Sequence, residues 1–263
     1  MQLNDQFFQS EFVNLQDGLT SFLYRLLTNK QDAEDLVQDT YIKAVSNLST
    51  YQESKASLKT WVYTIALNNA KNLLSKAKRW GENDLTICEN YHSSSPELMA
   101  EIGQVFSSTP DARFEMKEHL AYCFNCITKT LELTQQICLL LKDVYGFKQE
   151  EIIQITNLSE GKVKHGIADA RRNMKRIFHD RCALINKNGV CNQCTSLNGI
   201  FNPDQDAHIK ARELKLSTTE DQDELLDIRM KLVQETDPLK GSSNLHIFFF
   251  ENVPSWVEKA TKN

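Results

Sequence analysis

Apolar residues recur at helical spacing along most of this chain. Phe12, Leu15, Leu19, Phe22, Leu23, Leu26 and Leu27 form one stripe, and Leu36, Val37, Tyr41, Ala44, Val45 and Leu48 form a second. The second helix is expected to start near Asp32, with acids in its first turn where the helix dipole favours them. A polar loop, Ser49–Ser57, precedes a third helix from Leu58 to about Arg79. Further on, Ile152, Ile153 and Ile155 mark a short helix, and Thr156, Asn157 and Leu158 a tight turn in which Asn tolerates a left-handed backbone. Ser159 is placed to cap the next helix, whose Val163, Ile167 and Ala170 share one face. No β alternation is sustained. The pattern predicts an all-α protein of two helical domains joined by a flexible linker, the second a helix-turn-helix, with a C-terminal extension.

Charge gives the turn at 156–158 a purpose. Lys162 to Arg181 holds seven basic and two acidic residues. A helix-turn-helix places its second helix in the DNA major groove, so Lys162, Lys164, His165, Arg171 and Arg172 are the candidate duplex contacts. A solvated helical hairpin is the plainer alternative. The overall net charge of −5 is unusual for a DNA binder, but it is distributed in blocks. Residues 1–50 carry three basic and seven acidic side chains, residues 55–79 six basic and none acidic, and residues 204–237 five basic and ten acidic. Blocks of this kind indicate separate faces for separate partners.

The acid-free helix after Leu58 combines Lys59 and Trp61 with the amides Asn68, Asn69 and Asn72. Lysines hold phosphates, amides bond base edges and aromatic rings stack on unpaired bases. Trp61 also fits a core role, and the three Asn also fit a merely solvated surface. Asp32, Glu34, Asp35 and Asp39 lie off the apolar stripe of the preceding helix and form an acidic surface.

In this order and spacing, these segments resemble the extracytoplasmic-function type of RNA polymerase sigma factor. Asp32–Ala44 is similar to the family's acidic helix in region two, and Ala56–Asn69 to its promoter-melting helix. Leu133–Ile152 resembles the opening of region four, and Ser159–Lys164 its recognition helix. The resemblance implies that Asp32, Glu34, Asp35 and Asp39 face core RNA polymerase. Lys59, Trp61, Asn68, Asn69 and Asn72, with the loop from Tyr51, would melt the minus-ten element of promoter DNA. Lys162, Lys164, His165, Arg171 and Arg172 would read the minus-thirty-five element. An anti-sigma factor is a further partner the family allows. Two positions depart from the pattern: Leu67 stands where a polar residue is common, and His165-Gly166 follows the Val-Lys pair. Gly166 either allows close backbone approach to DNA or reflects no demand on helix propensity. The alternative function is a stand-alone helix-turn-helix regulator with a cysteine-based metal or redox sensor.

The implied organisation is a region-two domain at 1–80, a linker at 81–114, a region-four domain at 115–181, a cysteine-bearing segment at 182–204 and a tail at 205–263. Seven Cys without a secretory pattern at the start point to thiols or metal rather than disulfides. Two CxxC pairs, Cys123/Cys126 and Cys191/Cys194, have the ligand types for a structural zinc site, with Cys182 or His119 as substitutes. A thiol redox switch and a set of unrelated thiols remain alternatives. Cys138 reads as core. The cluster Ile247–Phe250 is too short to span a bilayer, so no membrane partner is expected and the location is cytoplasmic. Its rings either dock on the chain or bind a partner. An acidic tail screening the basic helices suggests autoinhibition. No paired carboxylates, phosphate loop or nucleophile–His set stands out, so an enzyme is not expected.

Overall fold

The computed structural model describes residues 5–108, 114–240, 244–254 and 257. In chain order the α-helices are α1 (Asp5–Leu27), α2 (Lys30–Ser46), α3 (Leu58–Lys76), α4 (Glu82–Ser94), α5 (Pro96–Ser107), α6 (Met116–Thr128) and α7 (Leu133–Leu139). They continue with α8 (Gln149–Thr156), α9 (Glu160–Arg181), α10 (Gln193–Phe201), α11 (Ala207–Glu213), α12 (Gln222–Gln234) and α13 (Asn244–Glu251). The protein is all-α; among the described residues the only β pairing is an isolated bridge between Cys182 and Cys191.

Two compact units are formed, Met1–Ala77 with Leu133–Ile167, and Lys78–Glu132 with Ala168–Asn263. Helix α9 runs from the first into the second. In the first unit Phe12, Leu19, Phe22 and Leu23 of the first expected stripe are buried with Leu36 and Val37 of the second, joined by Phe8 of α1 and by Val62, Tyr63, Leu67 and Leu74 of α3, while Val45 of the second stripe is exposed. Each such side chain contributes about 1.5–3 kcal/mol by leaving water. Leu67, an odd residue beside the family pattern, is a core residue at 1% exposure. Thr28 takes a left-handed turn (φ 56°), and Asn29 caps α2 by accepting the Asp32 amide at 2.9 Å. After α7 the chain widens into a π-type turn at Leu140–Val144, closed by Tyr145 N–H to the Leu140 carbonyl at 3.0 Å. Gly146 (φ 69°) then redirects it, a conformation natural to glycine.

The second unit is organised around α6, whose Leu120, Ala121, Tyr122, Phe124 and Ile127 are all buried. The stretch 81–114, expected as linker, carries helices α4 and α5. Helix α13 seats Leu245, Phe249 and Phe250 in the interior, with Phe250 centred 4.8 Å from Tyr122 and Phe249 4.7 Å from His92. The tail aromatics therefore dock on the chain itself, while Trp256 lies outside the described residues. The polar patterns at 205–215 and 219–235 become α11 and α12.

Candidate nucleic-acid interface and thiol cluster

On α2, Asp35 and Asp39 are exposed, Asp32 and Glu34 half-buried. Glu34 pairs with Lys30 at 3.9 Å and Asp35 accepts from Gln31 at 2.8 Å. Solvated pairs of this kind contribute at most about 1 kcal/mol, which leaves the acidic face free to exchange partners.

Helix α3 begins at Ser57, whose hydroxyl accepts the Thr60 amide at 3.1 Å. Trp61 is half-buried, centred 5.4 Å from Tyr51 and edge-on to Phe8 at 6.3 Å, so one side is core and the other open. Asn69 is held between Lys43 Nζ at 2.6 Å and Thr40 Oγ1 at 3.2 Å. Asn68 and Asn72 are exposed, and Asn68 accepts from Lys71 at 2.6 Å. Lys59 is not free. Its ammonium lies 4.3 Å from the Phe147 ring centre and donates to the Tyr145 carbonyl at 3.3 Å. Burial lowers its pKa, partly offset by Glu151. Beside it, Thr60 donates to Glu151 at 2.9 Å and Gln154 to the Lys55 carbonyl at 3.2 Å. The first helix of the helix-turn-helix thus covers the N-terminal end of α3.

The turn itself follows the sequence. Asn157 is left-handed (φ 57°, ψ 34°), Ile152 and Ile155 are buried, and Ser159 Oγ accepts the Lys162 amide at 3.4 Å. Lys162, Lys164 and His165 are exposed, with Lys164 bound to Glu160 at 2.7 Å. Gly166 faces inward. A Cβ there would lie 3.3 Å from Cys138 Sγ, so this glycine serves helix packing and not approach to DNA. Arg172 is exposed and pairs with Asp169 at 2.8 Å. The later basic residues have acidic partners from distant segments: Arg171 with Asp227, Lys175 with Asp223 at 2.6 Å, Arg176 with Glu82, and Arg181 with Glu89 at 3.4 Å. Sequence reading found the basic run but not these partners, which lie on α4 and α12.

Six cysteines converge in the second unit. Cys88 of α4, Cys123 and Cys126 of α6, Cys182 after α9, and Cys191 and Cys194 at the start of α10 line one cavity of about 50 Å³. Among the described residues, no three His, Cys, Asp or Glu side chains are gathered closely enough to constitute a formed metal site. After burial, the neighbouring thiols Cys191, Cys182, Cys194 and Cys126 also raise the Cys123 pKa. Cys126 shares a hydrogen bond with Tyr122. Burial pushes Cys126 and Cys191 up to about 12 and Cys123 and Cys194 well above the ordinary thiol range, so all four are neutral at pH 7. His119 also lines the cavity, with its Nδ1 3.3 Å from His246 Nε2. Arg229, on α12, was not singled out by sequence. It is 3% exposed, stacked 4.6 Å from the Phe178 ring, and bears on Cys182, Cys123 and Cys194. Its signal was there: Leu225, Leu226, Arg229, Met230 and Val233 share the buried face of α12.

Among known families, Sigma-70 region 2 matches residues 12–80. The ECF RNA polymerase sigma-E factor of Escherichia coli (strain K12) is 29% identical over 157 residues, 59% of this chain and 73% of that protein. The sigma-E factor of Salmonella typhimurium (strain LT2) matches equally, and the RNA polymerase sigma-H factor of Pseudomonas aeruginosa is 24% identical, covering 59% and 78%. A solved structure, the sigma factor RpoE in complex with the anti-sigma factor NepR from Bartonella quintana, aligns with TM-score 0.45 at 19% identity, covering 65% of this chain and 96% of that one. No described helix is long and apolar enough to cross a membrane.

Proposed function

We infer that this chain is a sigma factor of the extracytoplasmic-function type, which directs core polymerase to a particular set of promoters and holds their opened strands. The observation that carries the reading is the sequence of two unlike helices inside the matched region. Helix α2 exposes acids, and α3 follows it with basic, amide and aromatic side chains and no acid at all. A duplex-only regulator has no use for that pair.

In this reading Asp32, Glu34, Asp35 and Asp39 dock on the polymerase. Asn68, Asn72 and the open side of Trp61 meet unpaired bases at the minus-ten element, with Lys59 and Asn69 joining after they change partners. Lys162, Lys164 and His165 enter the major groove at the minus-thirty-five element, flanked by Arg171 and Arg172 on phosphates. The factor catalyses nothing itself; binding energy offsets the few kcal/mol needed to unstack each base step. It works where the polymerase is, in the cytoplasm. An anti-sigma factor is the natural antagonist of such a surface.

The test is run-off transcription with purified core polymerase on a library of upstream regions from the same genome. Defined start sites are expected only when the chain is added. Tight duplex binding by the chain alone, with no initiation, overturns the reading in favour of a stand-alone regulator.

A further inference from the structure

Helices α4, α5, α10 and α13 of the second unit line a cavity of about 110 Å³. The corner between α4 and α5 sets two of its walls. Ser95 Oγ accepts the Leu98 amide at 3.2 Å, and Pro96 opens α5, where its missing N–H is no loss. The lining includes Met99 and Ile102 of α5, Leu197 and Ile200 of α10, and Phe249 of α13. Ile102, Leu197 and Phe249 are buried, Met99 is half-buried and Ile200 is 53% exposed. The cavity is therefore apolar inside and meets solvent beside Ile200.

One polar group in this lining is unsatisfied. His92 of α4 is 3% exposed, with its ring centred 4.7 Å from that of Phe249. Its Nε2 lies 3.1 Å from the Asn252 carbonyl oxygen. A carbonyl can only accept, so Nε2 carries the proton and Nδ1 is a bare lone pair. Burial lowers the His92 pKa, which keeps the ring neutral at pH 7. Nδ1 is buried and has no hydrogen-bond partner. An acceptor in that position is costly to leave unmet. Glu89, the carboxylate of the same lining, already accepts from Arg181 at 3.4 Å and from the Asn192 amide at 3.3 Å.

Size and chemistry narrow the occupant. An apolar cavity of about 150 Å³ lined by Leu, Ile and Phe holds a molecule of benzene. A somewhat smaller cavity with one open side takes a single ring of that kind. Its apolar walls exclude a charge, and the bare nitrogen calls for one hydrogen-bond donor on the ring.

We propose that this cavity binds a small neutral aromatic alcohol of the phenol class, its ring against Ile102, Leu197 and Phe249 and its hydroxyl donating to His92 Nδ1. Such a ligand joins α4 and α5, the stretch expected as linker, to α10 and α13 of the C-terminal extension. The site owes nothing to the polymerase and promoter surfaces, so its failure leaves the transcription reading intact.

The experiment titrates the full chain with phenol and, separately, with toluene, which has the same ring and no donor. Calorimetry is expected to show one site per chain, with phenol bound about five- to tenfold more tightly than toluene. In a chain carrying ¹⁵N-labelled histidine, phenol should move the signal of the unprotonated His92 nitrogen upfield, and toluene should not. His92→Phe keeps a ring against Phe249 and should erase the preference for phenol. Ile102→Phe fills the cavity and should abolish binding of both. Ile200→Trp, a change at an exposed position, narrows the mouth and should weaken both. A wild-type chain that binds neither compound saturably overturns the site and leaves Nδ1 to water. Equal affinities with an unmoved His92 signal overturn the hydroxyl contact. Binding that survives unchanged in both Ile102→Phe and Ile200→Trp lies elsewhere and overturns the assignment to this cavity.

Discussion

Thr60 of α3 donates its hydroxyl to Glu151 of α8 at 2.9 Å, and so joins the helix assigned to promoter opening to the first helix of the helix-turn-helix. Lys59 reinforces the junction from the next position, with its ammonium over Phe147 and on the Tyr145 carbonyl. The surface proposed to meet exposed bases is thus partly occupied by the protein's own second motif. Beside these polar bonds Phe147 packs on Tyr63 with ring centres 4.8 Å apart, so a ligand at this end of α3 competes with apolar packing as well.

Thr60→Val keeps the shape of the side chain and removes one hydrogen bond to a carboxylate, worth about 1.5–3 kcal/mol. Glu151 retains its role at the start of α8, where it accepts the Lys148 amide at 2.9 Å. The covered state should lose roughly tenfold or more of its preference. Binding of a single-stranded minus-ten oligonucleotide by the free chain, followed by fluorescence anisotropy, should tighten by a similar factor. Unaltered affinity with an intact fold means α8 does not compete with DNA there.

Asp223 and Asp227 sit one turn apart on α12 and hold Lys175 and Arg171 of α9. Both acids are 65% exposed, so the pairs add little stability and mainly cancel positive charge. Replacing both with Asn should remove these two acidic partners and leave both cations more available to phosphate. The slope of log affinity for duplex DNA against log salt should steepen by up to about 1.8, with unfolding shifted by less than about 1 kcal/mol. An unchanged slope would show that Arg171 and Lys175 do not reach the backbone.

These two junctions also mark where the sequence stopped being readable. Apolar period gave α1, α2, α3, α8 and α9, and Asn157 and Ser159 gave the turn, because each signal is local. The acids on Arg171, Lys175 and Arg176 come from positions about 50 to 90 residues away, and nothing in the basic run announces them. The CxxC spacing located part of the thiol cluster, yet it gave no sign that Cys88 of α4 joins it, since that approach is a tertiary event. Arg229 was legible only as a charge on an apolar stripe.

Gly166 supplies a packing test. An Ala there gains about 1 kcal/mol in helix propensity, while its Cβ would press on Cys138 Sγ at 3.3 Å. The two effects should nearly cancel, leaving Gly166→Ala within about 1 kcal/mol of wild type. Gly166→Val loses the propensity gain and adds two methyl groups against Cys138 and Thr134. It should cost about 2–3 kcal/mol in thermal unfolding, and Cys138→Ala in the same chain should restore part of it. A Val variant as stable as wild type would place Gly166 in open space.

The His119–His246 pair gives the second unit an acid limit. Both rings are buried and desolvated, with nitrogens 3.3 Å apart, so one donates and the other accepts unless both are protonated. Burial lowers His119 from 6.5 to about 3, and burial with the neighbouring charge lowers His246 well below 6.5. The folded values lie below the unfolded ones, so the unfolded chain binds the extra protons. Stability is therefore complete above pH 6.5 and is lost as pH falls toward the folded value. At pH 5 His119 alone should cost about 2 kcal/mol. His119→Phe keeps a ring beside Phe114 and Tyr122 while removing one titrating group. Denaturant unfolding between pH 7 and 5 should then show a clearly shallower loss than in wild type. Parallel pH profiles for the two proteins would mean that His119 is already protonated, or exposed, in the folded chain.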